Sequence, residues 1–400
     1  MDLPADPPIP FLDLPRQHHG LKDDLLRVLA GALDSAAFIG GHGVAAFEKE
    51  FADYLGIAHA VGISSGTDAL RLAMLALGVE PGRPVITVPN TFVATAATIT
   101  QTGARPEFVD VDPRTCLIDI DRLEDLLRRR VAGPAEDRPC GIVPVHLYGQ
   151  CADMDAINAL AQRYGLWVVE DACQAHGALY KGRKAGTLAS MAAFSFYPGK
   201  NLGACGDAGA VTTADARLVD TIRTLRDHGQ RQKYDHQLEG YNARLDAIQA
   251  GFLRVKLPML DGWNRRRREL CRRYDTALAA LPWIRTVQTC ACNLSAHHLY
   301  VIHVPQRDAL FDWMKQRGIA CGLHYPVPLH LQPCYRRLGL GPASFPAAEW
   351  SAAHLVSLPL FPEMSFAQQE RIIAALRAYG EIRKLTADDL NWPEPFRRAS

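Results

Sequence analysis

The sequence predicts an α/β protein with a mostly parallel central sheet and a smaller C-terminal α+β domain. Three observations carry this expectation. Short β-rich runs alternate with helix-length segments between about residues 45 and 230, the pattern of right-handed βαβ units. Runs such as Val85-Ile86-Thr87-Val88 and Trp167-Val168-Val169 are almost wholly apolar, as strands covered on both faces require. The 400 residues exceed what one hydrophobic core supports, so a large domain over 1–250 and a small one over 251–400 are expected.

The elements follow in order. A helix is expected over 47–55 and a strand over 59–63. A second helix over 68–77 has Ala69, Leu70, Leu72, Ala73 and Ala76 at helical spacing. Strand 84–88, helix 93–100 and strand 106–111 come next. The helix over 119–130 starts on acids and ends on three arginines, which complements the helix dipole. Strand 141–147, helix 152–164 and strand 166–170 complete the alternation. A long helical stretch over 243–281 links the domains, and its arginines at 265–268 read as a solvated face. Beyond residue 291 lie a β-rich run (298–304), a helix (308–317), a Pro-rich turn (325–333) and a last helix (366–379). No internal repeat or low-complexity tract is present.

Composition excludes several function classes. Hydrophobic residues make up 48%, charged residues 22%, and the net charge is +1, which gives no electrostatic reason to expect nucleic acid or a membrane surface as partner. The ten cysteines include no Cys-x-x-Cys pair, and Cys290-Ala-Cys292 stands alone, so no metal site is expected. The start, Met-Asp-Leu-Pro-Ala-Asp-Pro-Pro, lacks the basic, apolar layout of a signal peptide, and no run approaches the ~18 apolar residues of a membrane span. Free thiols in a reducing cytoplasm are the expected state.

Four segments at predicted strand ends carry chemistry, since ligands of open α/β sheets sit at the carboxyl ends of the strands. In Ala193-Phe194-Ser195-Phe196-Tyr197-Pro198-Gly199-Lys200 an apolar strand runs into a Pro-Gly turn bearing one lysine. Most lysines are surface residues, but a desolvated one loses pKa and becomes a Schiff-base nucleophile. In Trp167-Val168-Val169-Glu170-Asp171-Ala172-Cys173-Gln174 a buried strand ends in two acids. Pyridoxal 5'-phosphate (PLP) needs an anion at its pyridine nitrogen, because the protonated ring is the electron sink. Asp171 can supply it, and Gln174 can reach the ring oxygen. Ser64-Ser65-Gly66-Thr67-Asp68 leads a strand into a helix start, which suits a phosphate but also reads as an ordinary cap. In Pro89-Asn90-Thr91-Phe92, Phe92 can stack on a flat ring or simply fill the core. No single segment decides the function; together they supply lysine, ring acid, phosphate cradle and stacking face.

With these blocks in order, the chain resembles the DegT/DnrJ/StrS family of sugar aminotransferases, from Pro10-Phe11-Leu12-Asp13-Leu14 to about Gly380. Further matching blocks are Phe38-Ile39-Gly40-Gly41, Val143-Pro144-Val145-His146-Leu147-Tyr148-Gly149-Gln150, Gly206-Asp207-Ala208-Gly209-Ala210, Gly240-Tyr241-Asn242-Ala243-Arg244-Leu245 and His324-Tyr325-Pro326. Cys173 and Ala208 depart from the commoner alanine and glycine. The resemblance implies the PLP-dependent transferase fold of type I, that of aspartate aminotransferase.

It also implies residue roles. Lys200 would carry the cofactor and shuttle the proton, Asp171 would hold the pyridine nitrogen and Gln174 the ring oxygen. Ser65, Gly66, Thr67 and Ser195 would hold the phosphate, with Phe92 against the ring. Asn242 would reach the phosphate of a neighbouring subunit, which implies a homodimer with shared active sites. L-glutamate would be the amino donor and a nucleotide-linked keto sugar the acceptor. The Lys-Asn-Leu-Gly-Ala continuation resembles members that aminate C-3 of a 3-keto-6-deoxyhexose on a dTDP carrier. Arg231, Tyr234, His324, Tyr325 and His330 are candidates for the substrate pocket, although each histidine can equally be a structural hydrogen-bonder. A C-4 or cyclitol aminotransferase, a PLP-dependent sugar dehydratase and a catalytically idle PLP-binding regulator remain open alternatives.

Overall fold

The structure is a computed structural model that describes residues 7–390. Met1 to Asp6, on which the expectation about a signal peptide falls, and the last ten residues lie outside the described part. The chain opens with α1 (Leu14–His19), α2 (Lys22–Ser35) and α3 (Gly41–Leu55), then β1 (His59–Ile63) and α4 (Gly66–Ala76). Next come β2 (Pro84–Thr87), α5 (Val93–Gln101), β3 (Arg105–Phe108), α6 (Ile120–Ala132), β4 (Gly141–Ile142), α7 (Met154–Tyr164) and β5 (Trp167–Asp171). A short hairpin, β6 (Leu179–Tyr180) and β7 (Arg183–Lys184), precedes β8 (Met191–Ser195), β9 (Gly209–Thr213) and α8 (Ala216–Arg226).

These strands form a seven-stranded sheet in the order β1-β9-β8-β5-β4-β2-β3. Six of them run in one direction, and β9 is antiparallel to both its neighbours, β1 and β8. The predicted strand over 141–147 keeps ladder pairing only at Gly141–Ile142. Beyond it only single contacts persist: the Val143 N–H donates to the Ile86 carbonyl at 2.8 Å, and Val145 makes an isolated parallel bridge to Asp171. Buried strands and amphipathic helices explain the layering: Val85, Ile86, Ile142 and Val169 are fully enclosed, as a sheet with helices on both faces demands. Helix starts are chemically marked. Asp119 caps α6 by accepting from the Arg122 N–H, and Asp153 does the same for α7 through Ala156.

After a small hairpin of β10 (Gln230–Gln232) and β11 (Asp235–His236), α9 (Ala247–Lys256) and α10 (Leu260–Leu278) replace the single long helix expected, broken at the 3-10 turn Leu257–Met259. Pro258 lies inside that break, where it removes a helical N–H. The rest comprises β12 (Arg285–Thr286), β13 (Asn293–Leu294), β14 (Tyr300–His303), α11 (Arg307–Gln316), α12 (Pro346–His354), β15 (Leu355–Leu358) and α13 (Phe366–Arg383). β12, β14 and β15 form an antiparallel three-stranded sheet. Its core gathers Tyr274, Trp283, Ile302, Leu310, Val356, Leu376 and Tyr379. Ile9, far away in sequence, joins that core and pairs with the 318–320 segment through backbone bonds of 2.7 and 3.0 Å.

The arginines at 265–268 are not a uniformly solvated face, which corrects the sequence reading. Arg267 is 2% exposed and donates to the carbonyl of Leu360 at 2.9 Å and to those of His297 and His298 at 3.4 Å. One helical turn carries four arginines round the whole circumference of α10, so one of them must face inward. Buried carbonyls receive it, and burial lowers its pKa to about 10. Among the described residues no helix is long and apolar enough to cross a membrane, and no cluster of three or more metal-ligating side chains occurs.

Candidate active site

The register of β5, β8, β9 and β1 gathers the chemistry at one sheet edge. Asp171 pairs with Ala193, Ser195 with Gly209, and Gly209 with Ile63. The last residues of β5, β8 and β1 therefore stand side by side, next to the first turn of α4.

Asp171 is 5% exposed. Thr95, in the first turn of α5, donates its hydroxyl to Oδ2 at 2.7 Å, and the Cys173 N–H donates to Oδ1 at 3.2 Å. Thr95 has one hydrogen and spends it on the carboxylate, so Thr91 must be the donor in the 3.0 Å Thr91–Thr95 contact. Both donors to Asp171 are neutral. The carboxylate is thus oriented without being neutralised, which suits an anion meant for a cationic ligand group. Thr95 was not singled out from the sequence; the spacing of Thr91 and Thr95, one helical turn apart beside a strand end, was the available signal.

Gln174 has its amide orientation fixed. Oε1 accepts from the Tyr148 N–H at 2.8 Å, and Nε2 donates to the Tyr325 hydroxyl at 3.2 Å. The donor side of the amide therefore faces the cleft wall formed by Tyr325 and Phe92, whose ring centroids are 5.8 Å apart. Phe92 is 53% exposed, an open aromatic face rather than a core filler. Tyr148 holds a left-handed φ of 60° that aims its N–H at Gln174, and its hydroxyl donates to the His324 carbonyl. His324 stacks on Phe11 at 5.5 Å, and its Nδ1 meets the Ser357 hydroxyl at 2.9 Å. Burial lowers its pKa to about 4, helped by the charge of Lys200.

The α4 start is a cradle emptied of side chains. A Cβ on Gly66 would lie 2.5 Å from the Ser195 Cβ and 3.0 Å from the Cys173 sulfur, so only glycine permits this approach. Ser65 caps α4 by accepting from the Asp68 N–H at 3.1 Å, which leaves its hydroxyl hydrogen available. Gly66 and Thr67 open an eleven-residue helix, and their N–H groups belong to the unpaired set that favours anions. Ser195 accepts from the Tyr197 N–H at 3.3 Å and likewise keeps its own hydrogen.

Lys200 sits in the turn that follows β8, closed by a bond from its N–H to the Tyr197 carbonyl at 2.8 Å. Burial pushes the ammonium below the ordinary lysine range, while Cys173 and Asp171 act in the opposite direction. The same two groups lie on the sheet edge just described, so Lys200 and Asp171 share one electrostatic environment.

Four of the predicted residues lie outside this cluster. Arg231 and Tyr234 ride on the β10–β11 hairpin; Tyr234 is 82% exposed, and Arg231 lines a cavity of about 690 Å³ with Arg223, Arg226 and Arg244. Asn242 is exposed, bridges only to Asp227 through the backbone, and its side chain makes no hydrogen bond among the described residues. His330 is buried against Phe345 with Nε2 on Glu349 at 3.0 Å, and its Nδ1 is buried without a partner.

The family model for DegT/DnrJ/EryC1/StrS aminotransferases matches residues 20–377. The chain belongs to this family. It is 44% identical over 375 residues to the dTDP-3-amino-3,4,6-trideoxy-alpha-D-glucose transaminase of Streptomyces venezuelae, covering 94% of this chain and 97% of that one. It superposes on the crystal structure of S. venezuelae DesV in complex with a ketimine intermediate with a TM-score of 0.90, at 43% identity and over 94% and 99% of the two chains. The crystal structure of NtdA from Bacillus subtilis with bound cofactor PMP matches with a TM-score of 0.84, at 30% identity and over 94% and 86%.

Aminotransferases of the DegT/DnrJ/EryC1/StrS family have the type I fold and use PLP, and the residues of this sugar aminotransferase fit that group. An anion held by neutral donors suits a ring nitrogen that keeps its proton. A glycine-lined helix start suits a phosphate, and a half-buried lysine suits a carbonyl carbon.

Proposed function

We propose that this aminotransferase moves an amino group from L-glutamate to C-3 of a nucleotide-linked 3-keto-6-deoxyhexose, with dTDP as the carrier. The observation that carries the reading is the convergence of Lys200, Asp171 and Gln174 on one sheet edge, in a chain 44% identical to a dTDP-3-amino-sugar transaminase over 94% of its length.

Bound PLP supplies a carbonyl that takes and returns the amino group, and a ring that accepts the electrons left when a C–H bond breaks. In this reading Lys200 holds the cofactor covalently. Its freed amine would move a proton from Cα of the donor to the cofactor carbon and, in the second half of the exchange, from that carbon to C-3 of the sugar. Asp171 keeps a proton on the ring nitrogen, with Thr95 holding the carboxylate in register. The Gln174 Nε2 donates to the ring oxygen, and Phe92 covers one face of the ring. Gly66 and Thr67 offer N–H groups, and Ser65 and Ser195 offer hydroxyls, to the phosphate. His324 and Tyr325 line the substrate side, while Arg231, Tyr234 and His330 remain candidates for the sugar nucleotide. Asn242 completes the phosphate site of a neighbouring subunit in a homodimer. In this reading the enzyme works in the cytoplasm.

A direct test is to load the protein with pyridoxamine phosphate and offer a panel of dTDP- and UDP-linked 3-keto and 4-keto sugars. Mass spectrometry and NMR should find an amine at C-3 of the dTDP-linked 3-keto sugar and none at C-4. Amination at C-4, or loss of water without amine transfer, contradicts the reading.

A further inference from the structure

Lys256 ends α9 with its side chain turned inward. It is 1% exposed, and among the described residues no carboxylate pairs with it. A buried ammonium is costly unless its hydrogens are taken. Here three hydrogens meet three acceptors. Nζ lies 2.8 Å from the Gly203 carbonyl oxygen, 2.9 Å from the His18 Nε2 and 3.8 Å from the Cys205 sulfur. An ammonium cannot accept, so the His18 Nε2 does, and the ring hydrogen sits on Nδ1. Burial first, and then the Lys256 charge, lowers the pKa of His18, which keeps that ring neutral. The last turn of α9 is also the negative end of its dipole, where a cation is favoured.

Gly203 and Cys205 belong to the stretch of chain that carries Lys200. Its turn leaves β8 at Ser195 and is closed by the Ala204 N–H, which donates to the Phe196 carbonyl at 2.7 Å. The two limbs of the turn touch. A Cβ on Gly203 would lie 2.2 Å from the Pro198 carbonyl oxygen, so Gly203 cannot shift without Pro198, just before Lys200. Helix α9 grips the outgoing limb twice. Gln249, two helical turns before Lys256 and so on the same face, accepts from the Cys205 N–H at 2.8 Å.

We infer that Lys256 is a positioning residue for the amino-transfer reaction: from α9 it fixes the turn bearing Lys200 through its hydrogen bond to the Gly203 carbonyl. In the proposed chemistry the Lys200 nitrogen serves two carbons in succession, so its backbone must stay still while the side chain moves. The inference rests on that proposed role of Lys200.

The test takes two readings on the full-length protein. Lys256→Met keeps most of the apolar stem and removes every donor. In the cofactor-free protein, hydrogen exchange followed by mass spectrometry reads the peptide that holds the Lys200 and Ala204 N–H groups. Its exchange should be about tenfold faster in K256M, the effect of one charge-assisted hydrogen bond on local opening, with peptides of β2 and β3 unchanged. In the PLP-loaded protein, the single-turnover change in cofactor absorbance with saturating L-glutamate should slow by about tenfold. With Cα-deuterated L-glutamate, K256M should show a larger isotope effect than wild type, because proton transfer by a misplaced Lys200 then limits the rate. A purely structural role would leave that isotope effect alone. Wild-type exchange in folded K256M overturns the inference, and so does faster exchange with an unchanged rate and isotope effect. If K256M does not fold, His18→Leu removes one acceptor of the ammonium at a half-buried position on α1. It should speed exchange of the same peptide, and wild-type exchange there overturns the inference equally. Borohydride reduction of the PLP-loaded wild type separates the two ideas. With the label on Lys200, wild-type behaviour of K256M sinks only the role of Lys256, whereas a label on another lysine sinks the parent reading and this one together.

Discussion

In the proposed chemistry Thr95 sets how well Asp171 meets the ring nitrogen. A carboxylate at a strand end is free to rotate unless something holds it, and the 2.7 Å bond from Thr95 supplies that hold. Thr95→Val keeps the shape of the side chain and deletes the donor. The variant should lose about tenfold in kcat/KM, the value of one hydrogen bond to a charged group, while Thr95→Ser should stay close to wild type. Steady-state kinetics on both variants checks this. Asp171, Gln174 and Lys200 were legible as residues because each is a functional group at or just beyond a strand end, in a recognisable block. Thr95 was not, because its importance comes from a partner 76 positions away. A sequence shows residue types and local spacing, whereas that bond is a product of the fold.

At the scale of elements, β5 carries two acids with opposite tasks. Asp171 faces the ligand edge; Glu170 points the other way and is wholly buried. Its Oε1 accepts from the Leu188 and Ala189 N–H groups at 2.7 and 3.0 Å, and its Oε2 accepts from Gly186 at 2.7 Å and meets the His146 Nε2 at 2.9 Å. The Ala152 N–H donates to the His146 Nδ1, so the ring hydrogen sits on Nε2 and points at the carboxylate. This clamp ties the loop after β7 to β5 and fixes the level at which Asp171 emerges. Glu170→Gln turns an acceptor into a donor against backbone N–H groups and should cost about 3 kcal/mol of stability, read as a lower urea midpoint. The alternation of strands and helices was legible from periodicity and caps. The antiparallel β9 was not predicted, because a strand's direction depends on how the chain returns and not on its own pattern. The shortening of the strand over 141–147 and the inward turn of Arg267 likewise follow from tertiary partners.

At the scale of the whole molecule, buried neutral histidines set the acid limit. Burial first, and then neighbouring charge, lowers His176 and His303 to about 3 and His297 and His324 to about 4. In the unfolded chain each takes a proton near 6.5. Below that pH the unfolded state binds more protons than the native state, so stability falls as pH falls, until the folded-state values are reached. The slope is about 1.4 kcal/mol per pH unit for each such histidine. The urea midpoint should change little between about pH 8 and 7 and drop steeply toward about pH 5; a flat response would contradict the burial of these rings. The proposed homodimer with shared sites makes a second prediction at this scale. Lys200→Ala and Asn242→Ala proteins, each impaired alone, should regain about a quarter of wild-type activity when unfolded and refolded together, since half the dimers then hold one intact site. No recovery would mean that Asn242 does not serve a neighbouring subunit.

The most direct test of the account is chemical trapping of the cofactor. Load the purified protein with PLP, reduce it with borohydride, digest it and sequence the labelled peptide. The label should fall on Lys200, and the Lys200→Ala protein should take none. A label on any other lysine, or undiminished labelling without Lys200, would contradict the assignment on which the proposed chemistry stands.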